Sequence, residues 1–202
     1  MRNSTTLLMT FTRNPELGKV KTRLAKGIGK KAALEVYIKL LEHTENVLQK
    51  INTDKCVWYS VSVRQNDIWP DDSYQKKAQF GNDLGERMLN AFKDAFQHNY
   101  EKVIIIGSDL YDLKPKHIEE AIEALNSNDI VIGPAQDGGY YLLGMKALHE
   151  KAFAPKNWGT ETVLADTLND LDNQSIQLLE TLNDIDHAED LEPYEAFKNY
   201  LL

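Results

Sequence analysis

The stretch that most constrains this chain is Val103-Ile104-Ile105-Ile106, four β-branched apolar residues in a row, closed by Gly107. Side chains of a strand alternate between its two faces, so a strand carrying this run has no polar face to turn to water. Both faces must be covered, as they are in parallel sheets whose strands are joined by helices. The rest of the sequence supplies matching pieces. Leu7-Leu8-Met9-Thr10-Phe11 and Ile130-Val131-Ile132 are short apolar runs without helical period. Residues 55–63, 140–145 and 176–179 read as further strands, 78–80 as a short one, and 67–72, with Pro70, as a loop. Helical spacing appears between them. In 30–51, Leu34, Tyr37, Ile38, Leu41, Leu48 and Ile51 share a face, and Leu84, Met88, Ala91, Phe92, Ala95 and Phe96 do so in the next segment. A helix starts near Pro115, a residue favoured at the first helical position, and carries Ile118, Ala121, Ile122 and Leu125. Val163, Leu164, Leu168 and Leu171 mark another. A last helix follows Asp186, which has capping-box spacing to Glu189, and Pro193 splits it in two. Strands alternating with helices predict an α/β fold of three layers, with a mainly parallel sheet between helices.

The 202 residues suit one domain, 1–202, with 42% hydrophobic and 27% charged residues. The single cysteine, Cys56, excludes an intrachain disulfide, and its apolar neighbours Val57 and Trp58 predict a packed strand thiol in a reducing compartment. A net charge of −8 argues against a nucleic-acid binder. The apolar run after Met1-Arg2-Asn3-Ser4-Thr5-Thr6 is too short for a signal-peptide core or a membrane span, so a cytoplasmic protein is expected.

In sheets of this kind ligands sit beyond the carboxyl ends of the strands, so the loops there matter most. The loop after the first strand, Thr12 to Arg23, holds Arg13, Lys19, Lys21 and Arg23 in an otherwise acidic chain, with Gly18 and Thr22 among them. Arg forks and Lys point charges suit phosphate, and Gly18 lets backbone N–H groups approach it. The loop is not a Walker loop, because G-x-x-x-x-G-K-[ST] is absent. Asp109, two residues past the apolar run, either holds Mg²⁺ or Mn²⁺ against a diphosphate or caps a turn. Asp137-Gly138-Gly139 is either a hairpin turn or a close backbone approach to substrate, with Asp137 on a hydroxyl or a metal. Asp186 either caps the last helix or is a second metal ligand facing Asp109. Gly81 to Met88, with Gly85 and Arg87, enters a helix whose N–H groups meet an anion or a base edge, or are simply capped. Trp158 either stacks on a base or sugar or plugs the core. The five histidines show no ligand spacing.

Five ordered motifs carry a family resemblance. They are Phe11-Thr12-Arg13-Asn14-Pro15 with Gly18-Lys19-Val20-Lys21-Thr22-Arg23-Leu24; Asp83 to Met88; Gly107-Ser108-Asp109; Gly133-Pro134 with Asp137 to Gly144; and Asp184-Ile185-Asp186 with Glu189-Asp190-Leu191. The set resembles the DUF2064 group of bacterial proteins, often labelled glycosyltransferases, over nearly the whole chain. That resemblance implies the GT-A, nucleotide-diphospho-sugar transferase fold, with a Rossmann-like sheet and a divalent metal, Mg²⁺ or Mn²⁺. The chain is also similar to phospholactate guanylyltransferases, which have a comparable Lys-Thr-Arg-Leu loop. By that analogy Lys19, Lys21 and Arg23 bind phosphates, Asp109 binds the metal and Asp186 is its second ligand. Tyr111 stands where related loops often carry proline, and His187-Ala188 where Thr-Pro is common. Asp109-x-x-Asp112 is not D-x-D spacing, so Asp112 is not assumed to coordinate.

The leading expectation is metal-dependent transfer from a nucleotide sugar to a small acceptor. Lys21, Arg23 and Asp109 would be catalytic, Arg13, Gly18, Lys19, Thr22, Gly85 and Arg87 would hold the nucleotide, and Asp137, Gly138, Gly139 and Trp158 would face the acceptor. The alternative is nucleotidyl transfer from a triphosphate with release of pyrophosphate, which the density of cations in the first loop favours. A third reading is a non-catalytic nucleotide-binding module. The sequence leaves the oligomeric state open.

Overall fold

The computed structural model describes residues 4–201; Met1–Asn3 and Leu202, the outer ends of the expected domain and of its N-terminal segment, lie outside the described residues. Among the described residues seven strands form one sheet: β1 (Thr6–Thr12), β2 (Asp54–Tyr59), β3 (Gln75–Ala78), β4 (Lys102–Ile106), β5 (Ile130–Pro134), β6 (Tyr140–Met145) and β7 (Ile176–Leu178). Their order across the sheet is β3-β2-β1-β4-β6-β5-β7. β6 alone runs antiparallel to its neighbours, β4 and β5; the other pairs are parallel. The helices are α1 (Leu24–Ile28), α2 (Lys30–Leu48), α3 (Leu84–Gln97), α4 (Pro115–Ser127) and α5 (Val163–Asp170).

The uniformly apolar run is divided between two cores. Ile104 and Ile106 point to one face of the sheet, with Tyr37, Leu41 and Leu48 of α2 and Ile118, Ala121 and Leu125 of α4. Val103 and Ile105 point to the other, with Met88, Ala91, Phe92 and Ala95 of α3, and α5 packs there through Leu164 and Leu168. Each such side chain removed from water stabilises the fold by about 1.5–3 kcal/mol, which is why a polar residue in β4 would be costly on either face. The buried stripe of α2 is wider than the expected face. Ala33, Val36 and Leu40 pack with Leu24, Ile185, Leu191 and Phe197 in a third cluster, so α2 joins the sheet to the C-terminal turns.

Four expectations are corrected. β2 ends at Tyr59 rather than continuing to Val63, because β1 ends at its partner Thr12 and the N–H groups of Val61 and Ser62 go to Asn14 Oδ1 instead of a strand. β3 lies at 75–78 rather than 78–80, since an edge strand's register is set by pairing with β2 and its Lys76 and Lys77 suit an edge. The last helix is two 3₁₀ turns, Glu189–Leu191 and Glu195–Tyr200, on either side of Pro193. Asp186 does not cap it: Asp190 Oδ2 accepts from Asp186 N at 2.9 Å and from His187 N at 2.6 Å, while the Asp186 side chain turns to the first loop. α1 and a 3₁₀ turn at Glu150–Phe153 are additions that periodicity over so few residues does not reveal. Among the described residues no helix is long and apolar enough to cross a membrane.

Candidate functional site

β1 and β4 lie side by side in the sheet, and the chain leaves them in opposite directions, from β1 to β2 on one side and from β4 to β5, two places away, on the other. A crevice opens where strand order reverses in this way. Here it is a cleft of about 730 Å³, lined among others by Arg13, Lys19, Lys21, Thr22, Arg23, Arg87, Asp109, Asp137, Trp158 and Asp186. A smaller, adjoining arm of about 260 Å³ runs inward past Asp109, Gly139 and Trp158.

Lys21 lies at the centre. Its backbone has φ 44°, a left-handed conformation that is strained for any residue with a Cβ. The strain directs a 5%-exposed side chain beneath the loop, where Nζ donates to Asp109 Oδ2 at 2.9 Å and stands 3.6 Å from Asp186 Oδ1. Burial disfavours the ammonium, but Asp109, Asp186 and Asp184 outweigh it and hold Lys21 above the ordinary lysine value. Arg23 reaches Asp186 Oδ2 at 2.6 Å. Burial works to raise Asp186, yet Lys21 and Arg23 win and keep it below the usual carboxylate range.

The loop is braced from below. The Tyr37 hydroxyl accepts from Arg13 N at 2.9 Å and lies 3.1 Å from Thr12 Oγ1 and 3.4 Å from Ser108 Oγ, tying the ends of β1 and β4 together. Asn14 is buried and fastens the same loop to the residues after β2, donating to Ser62 O at 2.8 Å. Gln79 donates to Trp58 O at 2.9 Å and lines the cleft with Ser60.

Asp184 is the functional candidate that sequence spacing passed over. The backbone of its neighbour Ile185 donates to Asp109 O, which brings the segment after β7 against the β4 loop. Burial, then the nearby carboxylates of Asp109 and Asp137, push Asp184 up to about 6. Among the described residues no cation stands within ion-pair distance of it. Oxygen donors gathered with so little counter-charge suit a hard divalent ion such as Mg²⁺ or Mn²⁺. No three His, Cys, Asp or Glu side chains among the described residues stand close enough to encircle an ion. Asp109 and Asp184 would hold such an ion with water completing its shell, Asp109 sharing Oδ2 with Lys21, whereas Asp186 has both oxygens facing Lys21 and Arg23.

The raised carboxyl predicts a pH effect. Asp184 binds its proton more tightly folded than unfolded, so its contribution to stability is largest below pH 3.8 and falls as pH rises to about 6. Asp184→Asn removes this penalty. Without metal and near neutral pH the variant should melt roughly 2–4 °C higher than the parent, for about 1 kcal/mol after solvent screening, with no difference near pH 4. Melting curves that keep one offset at both pH values would sink the assignment.

Three glycines stand beside the cleft instead of lining it. A Cβ on Gly85 would lie 2.3 Å from the Trp158 ring, so the bare backbone of α3 is the seat of that indole. Gly85→Ala should cost about 1–3 kcal/mol and shift Trp158 fluorescence, because ring and helix cannot both stay; an unchanged spectrum and Tm would contradict the packing. Gly138, at φ 86°, closes the β5–β6 hairpin against Glu161 O, 2.1 Å from where its Cβ would be, so the hairpin turn is real and also places Asp137 at the cleft. Gly18, at φ 75°, turns the first loop over the Lys30 side chain. Lys19 is 74% exposed and pairs with Glu16 at 2.7 Å.

Residues 42–160 match the family model described as "Uncharacterized protein conserved in bacteria (DUF2064)"; the match takes in Asp109 and Asp137 and leaves out the first loop and Asp184. Among solved structures, a candidate nucleotide-diphospho-sugar transferase from Desulfovibrio desulfuricans G20 is 31% identical with TM-score 0.88, over 97% of this chain and 89% of that one. A 4-diphosphocytidyl-2C-methyl-D-erythritol synthase from Anaerococcus prevotii shares the fold, at TM-score 0.63 and 12% identity, over 97% of this chain and 99% of that one. Among curated proteins, the 2-phospho-L-lactate guanylyltransferase of Methanocaldococcus vulcanius is 31% identical over 135 residues, and that of Methanocaldococcus fervens 26% over 132. Each match covers 65% of this chain and 58% of the relative, so little more than half of those proteins' length is matched.

Proposed function

The chain belongs to the DUF2064 family, and from that premise we propose that it is a nucleotidyltransferase, moving a nucleoside monophosphate from a triphosphate to a small acceptor with release of pyrophosphate. The observation that carries this reading is the layout of the cleft. Arg13, Lys19, Lys21, Arg23 and Arg87 line its outer part, and Asp109 and Asp184 border both arms. A triphosphate has the charge to engage that many cations, and neutralising the leaving pyrophosphate is what they supply. A divalent ion at Asp109 and Asp184 would supply charge neutralisation and orientation of the phosphates. Lys21, strained and buried, holds a fixed positive charge there without reorganisation, and Tyr37 keeps the two strand ends in register.

The sequence placed a nucleotide sugar first; the relatives named as guanylyltransferases support the triphosphate instead. The second reading, glycosyl transfer from a nucleotide sugar, is favoured by the 31% identical Desulfovibrio structure. The two differ in their products. The chain is incubated with each of the four common nucleoside triphosphates or with UDP- and GDP-sugars, with Mg²⁺ or Mn²⁺, and with 2-phospho-L-lactate and a panel of alcohols as acceptors. Pyrophosphate from a triphosphate supports nucleotidyl transfer. Nucleoside diphosphate released only from a sugar donor overturns it. Metal-independent binding without turnover would return the chain to the non-catalytic reading.

A further inference from the structure

The two arms of the cleft differ in charge. The outer arm carries five cationic side chains. Among the described residues the inner arm is lined by no Lys, Arg or His at all. Its walls are apolar, with Phe11, Met88, Leu143 and Val163, and the ionisable groups that border it are Asp109, Asp137 and Asp184 beside two tyrosines. Two lysines come near it without lining it, and the ammonium of each is already paired with carboxylates. Lys21 Nζ is held by Asp109 and Asp186. Lys156 Nζ lies over the Trp158 ring but donates to Asp170 at 2.8 Å, to Thr167 at 3.0 Å and to Ala152 O at 3.0 Å.

We propose that the inner arm is the acceptor site and that the acceptor is a small alcohol with an apolar body and no acidic group. This rests on the reading that a triphosphate occupies the outer arm. An anionic acceptor entering the inner arm would leave water for an apolar wall and meet Asp137, with no Lys, Arg or His lining the arm to offset the cost and with the charge of an ion at Asp109 and Asp184 already matched by the triphosphate. An uncharged alcohol buries its carbon body instead, and an amino-alcohol gains Asp137 as a partner. In the reaction the alcohol oxygen bonds to the α-phosphorus, and the bond from that phosphorus to the α–β bridging oxygen breaks. Pyrophosphate leaves with the electron pair, and the hydroxyl proton passes to water. The chain thus differs in acceptor class from relatives named for 2-phospho-L-lactate, which carries both a phosphate and a carboxylate.

Trp158 lines the inner arm and reports on it, while Trp58 and Trp69 are 3% and 1% exposed in the core. Fluorescence titrations of the full chain with 4-methylpentan-1-ol, 5-aminopentan-1-ol and 2-phospho-L-lactate test the proposal, with Trp158→Phe assigning the signal. Dialysis with labelled nucleoside triphosphates and Mg²⁺ runs in parallel. The alcohols should quench saturably, at concentrations at least tenfold below any effect of phospholactate. Asp137→Asn, an amide that can still accept from Gly139 N, should narrow that gap by improving phospholactate. Phospholactate binding more tightly than both alcohols, or no response to either alcohol, overturns the proposal. If triphosphate binds in those cases, the nucleotidyl reading survives and only the acceptor class fails. If the alcohols bind and no triphosphate does, the pocket stands and the nucleotidyl reading fails.

Discussion

Asp109→Asn should lower turnover by about 10²–10³-fold while leaving the chain folded. The carboxylate acts in two ways that an amide of the same size cannot replace. Its Oδ2 holds the buried ammonium of Lys21 at 2.9 Å, and the group borders both the cation-lined and the apolar arm of the cleft. Asn keeps the shape over Gly107, where there is room for little else, since a Cβ on that glycine would stand 3.0 Å from Asp109 Oδ1. Lys21 then keeps Asp186, at 3.6 Å, as its ion-pair partner, with Asp184 farther off, so stability should fall by about 1–3 kcal/mol. Pyrophosphate release and triphosphate dialysis with and without Mg²⁺ separate the effects. Turnover should collapse, and the gain in nucleotide affinity from Mg²⁺ should shrink. A variant within threefold of the parent in both assays would remove Asp109 from the chemistry.

Lys21→Met should be nearly as severe in activity and costlier in stability. Methionine matches the length of the buried stem but leaves Asp109 without its ammonium partner and Asp186 with Arg23 alone. Removing one partner from a largely buried pair costs about 3–5 kcal/mol, less here because both carboxylates are partly open to water. A fall of roughly 2–3 kcal/mol is expected, with kcat/KM for the triphosphate down by about 10²-fold or more. Lys21→Arg should not restore activity, because a planar fork cannot replace a point charge in a 5%-exposed slot. The double variant Lys21→Met with Asp109→Asn should be more stable than the sum of the single losses predicts, since each single change strands the other group. Strict additivity would mean that the pair is not coupled.

How much of this was legible beforehand varies residue by residue. The strands of the central sheet could be read because burial on two faces forces apolar residues at every position, as Val103 to Ile106 show by dividing between two cores. The first loop stood out as a local reversal of charge in a chain of net charge −8. Tyr37 was also visible, but as part of the apolar face of a helix; that its hydroxyl braces the ends of two strands cannot be seen from period alone. β3 was misplaced because side-chain pattern fades on an edge strand, where one neighbour is missing, and β2 was drawn too long because its apolar pattern runs on past Tyr59, where pairing with β1 stops. Asp184 and Asp186 are chemically identical in sequence, two residues apart, and only their surroundings separate them. One is crowded by carboxylates and held near 6; the other is claimed by a lysine and an arginine.

Period, burial and turn chemistry are properties of neighbouring residues, so the order of strands and helices and the loops that carry charge follow from the chain as written. The site is of another kind. Lys21 meets Asp109 across 88 residues and Arg23 meets Asp186 across 163, and nothing local specifies either pair. They meet because parallel pairing sets the carboxyl ends of β1 and β4 side by side and carries the segment after β7 to the same edge. The first loop could be read as a grip for phosphate; which carboxylate it pairs with, and which one it leaves open, are settled only when the sheet closes.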